Sequence, residues 1–241
     1  MKSWKDNITF ILVEPKEPGN IGASARALKN MGFKNLELIK PVRYFTDEAR
    51  FMACNAVDIL EHSKVHLTLE DAIQDKSLVI GTTRRFGKRR GLILPVKESI
   101  RKIIITAKKN KVAILFGRED KGLNNKEVEE CCFLLTIPTD SSSPSLNLAQ
   151  SVLIVAYELS QKLYRGTVPV IVKHAKLENF YHHVNSVLKL LEYIPRGNRD
   201  LNMRIMRNLK HLFGRAGLTD WELRMLYGIC SQVEKKIKGG V

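Results

Sequence analysis

Short apolar runs alternate with amphipathic stretches along the first 165 residues. Runs at Ile8–Val13, Leu36–Ile39, Leu78–Gly81, Val112–Phe116 and Phe133–Ile137 read as buried strands rich in Ile, Leu, Val and Phe. Helical spacing predicts helices over Ile21–Met31, Asp47–Asn55, Leu69–Gln74, Val96–Lys108, Lys126–Cys131 and Leu146–Leu163. Gly32 follows the first helix as a C-terminal cap should. Strands separated by helices predict an α/β protein with a mostly parallel, covered sheet. In such sheets ligands sit beyond the carboxyl ends of the strands. The loops after Val13, Gly81, Phe116 and Ile137 are therefore the expected site.

The pattern changes after residue 165. Residues 166–173 read as an extended linker, and 174–241 as a small helical extension. One helix places Leu177, Phe180, Val184, Val187, Leu188 and Leu191 on a face. A second places Leu201, Ile205, Leu209 and Leu212, and Gly214 is expected to close it. The third opens with the capping box Thr219-Asp-Trp-Glu222 and is expected to bury Leu223, Leu226, Ile229 and Val233.

The chain has 241 residues and a net charge of +15, which points to a polyanionic partner. Arg84 to Lys111 holds eleven basic residues and one acid, Glu98. Five of the seven residues Arg84-Arg-Phe-Gly-Lys-Arg-Arg90 are basic. Like charges this dense repel one another unless an anion joins them, so phosphate binding is expected here. No apolar run reaches the roughly 18 residues of a membrane span. The first residues lack a signal-peptide core, which predicts a cytoplasmic protein. Cys54, Cys131, Cys132 and Cys230 lack metal-ligand spacing and read as reduced, mostly buried residues, with no metal site expected.

Three segments carry the chemistry. The first, Glu14 to Gly32, includes Asn20 and the small-residue run Gly22-Ala-Ser-Ala25 before Arg26, small enough to let another chain or a ligand approach that arginine. Its Gly19-x-x-Gly22 spacing departs from a dinucleotide fingerprint, and no acid ends the next strand. The second, Phe116-Gly-Arg-Glu119-Asp-Lys-Gly122-Leu, is a strand running into a glycine-bounded charged loop without the Gly-Lys-Ser/Thr of a P-loop. The third is the Ser/Pro loop Ile137 to Ala149, entering a helix that Ser145 is placed to cap.

In this order and spacing the segments resemble the SPOUT class of S-adenosylmethionine-dependent RNA methyltransferases, in its TrmH-like 2′-O-ribose branch. Asn179-Phe-Tyr-His-His and Leu209-Lys-His-Leu-Phe-Gly-Arg215 look like the C-terminal extension of the TrmJ type. The resemblance implies a sheet with a C-terminal trefoil knot in residues 1–165 and a small all-α extension. It implies S-adenosylmethionine as cofactor, a homodimer with active sites near the subunit interface, and methylation of nucleotide 32 in the tRNA anticodon loop. The same chemistry on rRNA, and a catalytically silent RNA-binding protein on this fold, are the alternatives. Carried onto this chain, the cofactor loops are Thr82, Thr83, Arg84, Gly117, Ile137, Pro144, Ser145 and Leu146. The catalytic set is Asn20, Arg26, Glu119, Ser145 and Asn147. Arg84, Arg85, Lys88, Arg89, Arg90, Arg204, Arg207 and Lys210 are the expected RNA contacts. Pro144 departs from the small residue expected before Ser145 and removes one backbone donor.

Overall fold

The computed structural model describes residues 3–87, 91–161, 169–193 and 199–239. Seven strands form one sheet in the order β3-β2-β1-β6-β4-β7-β5. They are β1 (Ile8–Val13), β2 (Leu36–Ile39), β3 (Lys64–His66), β4 (Leu78–Thr82), β5 (Ile93–Pro95), β6 (Val112–Phe116) and β7 (Phe133–Thr136). Every pairing is parallel, and the register sets Ile8 beside Val112 and Leu78 beside that same residue. All six residues of β1 and all five of β6 are buried, because helices cover both faces. The five runs read as strands in the sequence are all strands. The two edge strands, three residues each, were not predicted.

The helices of this part are α1 (Pro18–Asn30), α2 (Asp47–Ala53), α3 (Val57–Glu61), α4 (Leu69–Ile73), α5 (Val96–Ala107), α6 (Asn125–Glu129) and α7 (Leu148–Ser160). In the larger core cluster, under α1, α5 and α7, Phe10 stacks on Phe116 and meets Phe33 edge to face. Gly22 lets α1 and α2 touch: a Cβ there would lie 2.1 Å from the Ala49 carbonyl oxygen. Gly22 and buried Ala25 serve helix packing. Ser145 is not the cap of α7. Asn147 caps it, in a box closed by Gln150.

Three further helices follow, α8 (His174–Leu190), α9 (Arg199–Ala216) and α10 (Asp220–Lys238). Their core is small: Val172, Leu177, Phe180, Tyr181, Leu218 and Leu223, flanked by Met206, Phe213 and Tyr227. Gly214 does not end α9. It lies inside the helix, where a Cβ would meet the Cys132 sulfur at 2.8 Å, so its role is close packing. Gly217, with φ +75°, follows the helix instead. Ile229, expected to be buried, is 54% exposed, because α8 covers only the Leu223, Leu226 and Cys230 side of α10.

The described part of the linker is fastened down. Asn110 Nδ2 donates to the Pro169 carbonyl (3.0 Å), and Asn110 Oδ1 accepts from the Ile171 amide (2.8 Å). Ser77 donates to the Ile171 carbonyl, and the Val172 amide donates to the Leu218 carbonyl.

Candidate active site

Three loops meet beyond the carboxyl ends of β4, β6 and β7. Strand β6 ends at Phe116 and the chain folds back on itself at once. A Cβ on Gly117 would come within 2.2 Å of the Gly122 carbonyl carbon and the Leu123 nitrogen, so only glycine fits. Gly122 closes the loop with φ +65°, its amide donating to the Arg118 carbonyl at 2.8 Å. The Arg118 guanidinium braces the loop from behind. It donates to both Glu127 oxygens (3.0 and 2.9 Å) and to Glu14 (2.8 Å). Those bonds, Glu127's first, raise the already high pKa of Arg118, and its bond to Glu14 holds that carboxyl below the usual range.

Glu119 turns toward the first segment. Its carboxylate accepts from the Asn20 side-chain amide (3.0 Å) and from the backbone amides of Lys16 (3.0 Å) and Glu17 (3.3 Å). Asn20 Oδ1 accepts from Asn147 Nδ2 at 2.8 Å. Asn147 Oδ1 accepts from the amides of Ala149 (2.8 Å) and Gln150 (3.4 Å) at the start of α7. One chain of hydrogen bonds, Glu119–Asn20–Asn147–α7, thus joins segments separated by about a hundred residues or more. This network is largely exposed, so it sets the relative position of the segments more than it adds net stability.

One cleft opens in front of this network. Thr82, Thr83, Arg84, Gly117, Ile137, Pro144, Ser145 and Leu146 all line it, as do Glu119, Leu135 and Leu148. All eight residues assigned to the cofactor from the sequence therefore face one space. Leu135 and Leu148, which supply its apolar floor, were not assigned; their position at a strand end and a helix start is the signal that would have found them. Two hydroxyls are already engaged. Thr82 donates to the Leu115 carbonyl (3.0 Å), and Thr83 donates to the Arg85 carbonyl (3.2 Å) while accepting from the Arg85 amide (3.0 Å). The Pro144 carbonyl accepts from Thr139 (3.2 Å), which closes the Ser/Pro loop. Ser145 is exposed on the wall and makes no hydrogen bond among the described residues.

Asn20, Asn147 and Arg26 do not line the cleft. Asn20 is tied to the lining residue Glu119, and Asn147 to Asn20 and the start of α7. Arg26 is exposed on α1, without an ion pair among the described residues. Of the basic set, Arg84 and Arg85 line the cleft. Lys88, Arg89 and Arg90 lie outside the described residues. Arg204 is exposed, and Arg207 is 4.0 Å from Glu129. Lys210, expected to face RNA, is instead engaged inside the chain, its ammonium 3.0 Å from Glu130 and 3.2 Å from Glu178. His174 joins the same cluster, 3.2 Å from Glu130.

A parallel α/β sheet with a glycine-walled cleft at its carboxyl edge defines a small-molecule-binding protein of the α/β class. Residues 7–157 match the SpoU rRNA methylase family, and residues 175–240 match the C-terminal domain of the tRNA methyltransferase TrmJ. The chain is 36% identical over 241 residues to the tRNA (cytidine/uridine-2′-O-)-methyltransferase TrmJ of Photorhabdus laumondii, covering 97% of this chain and 99% of that one. The crystal structure of TrmJ from Z. mobilis ZM4 superposes with a TM-score of 0.78 at 30% identity, over 94% of this chain and 99% of that one. AviRb from Streptomyces viridochromogenes, solved with AdoMet, shares the fold at 19% identity and a TM-score of 0.52, over 65% of this chain and 60% of that one. The chain belongs to the SpoU rRNA methylase family, in its TrmJ-type branch.

Proposed function

We propose that the protein transfers a methyl group from S-adenosylmethionine to a ribose 2′-OH of tRNA, at nucleotide 32 of the anticodon loop, on cytidine or uridine. The observation that carries this reading is the convergence of all eight expected cofactor residues on one cleft, backed by the Glu119–Asn20–Asn147 chain. The names of the TrmJ relatives support tRNA as substrate and cytidine or uridine as base. A C-terminal trefoil knot in the domain of residues 1–165 belongs to the same reading, as does a cytoplasmic location.

The cleft suits the cofactor. Leu135, Ile137, Leu146 and Leu148 offer an apolar bed, and the tight Gly117 turn lets main chain approach a ligand closely. Bound there, S-adenosylmethionine supplies a methyl group on a leaving sulfur that is already activated, so the transfer needs no metal. The protein's task is then to position the 2′-OH and ease loss of its proton, and positioning alone supplies about 7–11 kcal/mol. Asn20 is committed at both ends of its side chain, so its role is to hold Glu119 and Asn147 in register. Ser145 retains a hydroxyl able to polarise the nucleophile. Arg26 grips the adjacent phosphate through its guanidinium fork.

A homodimer completes this arrangement, because Arg26 stands outside its own chain's cleft. The pairing face we assign is that of α1 and α7, where Leu153 and Tyr157 are exposed. Arg84 and Arg85, with the basic residues that follow them, hold the RNA backbone, and Arg204 extends the same field.

The test is to incubate the protein and cofactor with deproteinised tRNA and rRNA and map 2′-O-methylation by resistance to alkaline hydrolysis. Protection at nucleotide 32 of tRNA is expected. Protection confined to rRNA transfers the reading to that substrate, and cofactor binding without any transfer refutes the enzymatic reading.

A further inference from the structure

We infer that Phe86 is a stacking platform for an unpaired nucleobase of the RNA substrate, set at the mouth of the cleft. This inference rests on the RNA methyltransferase reading and adds a binding site to it.

The chain leaves β4 through Thr83, Arg84 and Arg85, all of which line the cleft, and the next residue is Phe86. Its side chain is 75% exposed. The backbone that presents it is defined: the Thr83 amide donates to the Leu135 carbonyl (2.9 Å), and the Arg85 amide donates to the Thr83 hydroxyl (3.0 Å). The ring is therefore held out by a turn anchored on the sheet. Gly87 follows, with no described atom beyond its chain neighbours within 4 Å of where its Cβ would stand.

Other large aromatics are exposed among the described residues, but each lies elsewhere. Phe51 is on α2, Tyr157 on α7, Tyr193 just after α8 and Trp221 on α10, and none adjoins a residue that lines the cleft. Phe86 alone among these combines exposure with that position and with cationic neighbours on one side. The combination of a guanidinium for a phosphate and an aromatic face for the attached base is the one used to bind single-stranded nucleic acid. A ribose 2′-OH can enter the cleft only if its nucleotide is drawn out of the loop's own stack. The displaced base, or its neighbour, then needs a face to replace the lost stacking. A second apolar surface of the same protein would bury Phe86 equally well, but Arg84 and Arg85, which line the cleft just before it, select a polyanion.

Stacking reads a π-face and not hydrogen-bonding edges, so Phe86 secures affinity without choosing between bases. The experiment compares wild type with Phe86→Ala, Phe86→Leu and Phe86→Trp on an unmodified tRNA transcript, with S-adenosylmethionine affinity measured separately by calorimetry. Phe86→Ala and Phe86→Leu should raise the KM for tRNA about tenfold, with cofactor affinity unchanged, while Phe86→Trp stays within about twofold of wild type. An abasic nucleotide introduced at the stacked position should make wild type and Phe86→Ala equal. If wild type is active and Phe86→Ala keeps its KM, or Phe86→Leu behaves like wild type, stacking is refuted while the enzymatic reading stands. Failure of wild type to methylate any RNA removes the reading beneath it.

Discussion

The sheet with its helices and the three-helix extension are held together by different forces. In the sheet, whole strands are dry: Ile8, Phe10, Leu12, Ile114 and Phe116 are almost fully buried and pack with α1, α5 and α7 in one large cluster. The extension has six buried apolar residues in its own cluster, and it meets the sheet largely through polar ties. Lys210 bridges Glu130 and Glu178, His174 reaches Glu130, Asn110 clasps the linker, and Lys102 donates to the Arg215 carbonyl. Chemistry requiring exact placement belongs on the dry part, and the cleft loops do spring from β4, β6 and β7. A layer docked through charges responds to salt and acid where a dry core does not.

The comparison breaks most visibly at Gly117. Replacing it with Ala puts a methyl group into the Gly122–Leu123 backbone, which cannot yield without opening the loop. We expect cofactor affinity to fall about a hundredfold or more, since a displacement of about 1 Å costs that much where placement matters. Calorimetry with S-adenosylmethionine measures it; near-normal affinity would show that the tight turn is not part of the cofactor wall. Arg26→Ala is the next largest. Arg26 is exposed, so stability should move by no more than about 0.5 kcal/mol, while methyl transfer falls about a hundredfold. Arg26→Lys should recover little, because an ammonium lacks the fork; full activity of that variant sinks the bidentate role.

The same contrast explains what could be read from the chain. Strands β1, β2, β4, β6 and β7 announced themselves because they are buried on both faces, which demands unbroken apolar runs. Strands β3 and β5 are three-residue edges, the first mostly exposed, and edges place no such demand on sequence. The cleft was legible because its glycines and strand ends are local signals. Which asparagine or serine caps α7 was not: Ser145 and Asn147 are equally good capping residues, and only the reach to Asn20 selects the second. Gly214 and Lys210 were misjudged for a shared reason. Their roles depend on Cys132 and on Glu130, residues of a different layer, and no periodicity within α9 reports them.

Lys210→Met sharpens the comparison on the other side. Its ammonium is 22% exposed on the side chain and satisfies two carboxylates that would be left facing each other. The extension should loosen by about 1–3 kcal/mol, the usual cost of stranding a half-buried polar partner. Hydrogen exchange should show this loss across α8 and α9, with the strands of the sheet unchanged. The salt dependence of RNA binding should keep its slope, because this charge is spent internally; a slope reduced by about one would return Lys210 to the RNA-binding set.

Acid should produce the smallest effect, in two steps that belong to the extension first. His211 is buried beside Gly91, and its pKa is held below 6.5 by burial and then by Arg207 and Arg215. The unfolded chain therefore binds this proton more readily than the folded one. The contribution of neutral His211 is complete above about pH 6.5 and is lost as pH falls from there through the folded value. Glu130 follows at lower pH. Burial alone would raise its pKa, but the hydrogen bond to His174 and the charge of Lys210 outweigh burial and lower it below 4.5. Its contribution is present above about pH 4.5 and disappears below. Glu14, bonded to Arg118, is lowered as well, so its contribution is also lost only below about pH 4.5. Between pH 7.5 and 5.5, hydrogen exchange should accelerate in α9 while β1 and β6 keep their protection. His211→Asn should abolish that first step and leave the second; a first step that survives the substitution would assign it to another group.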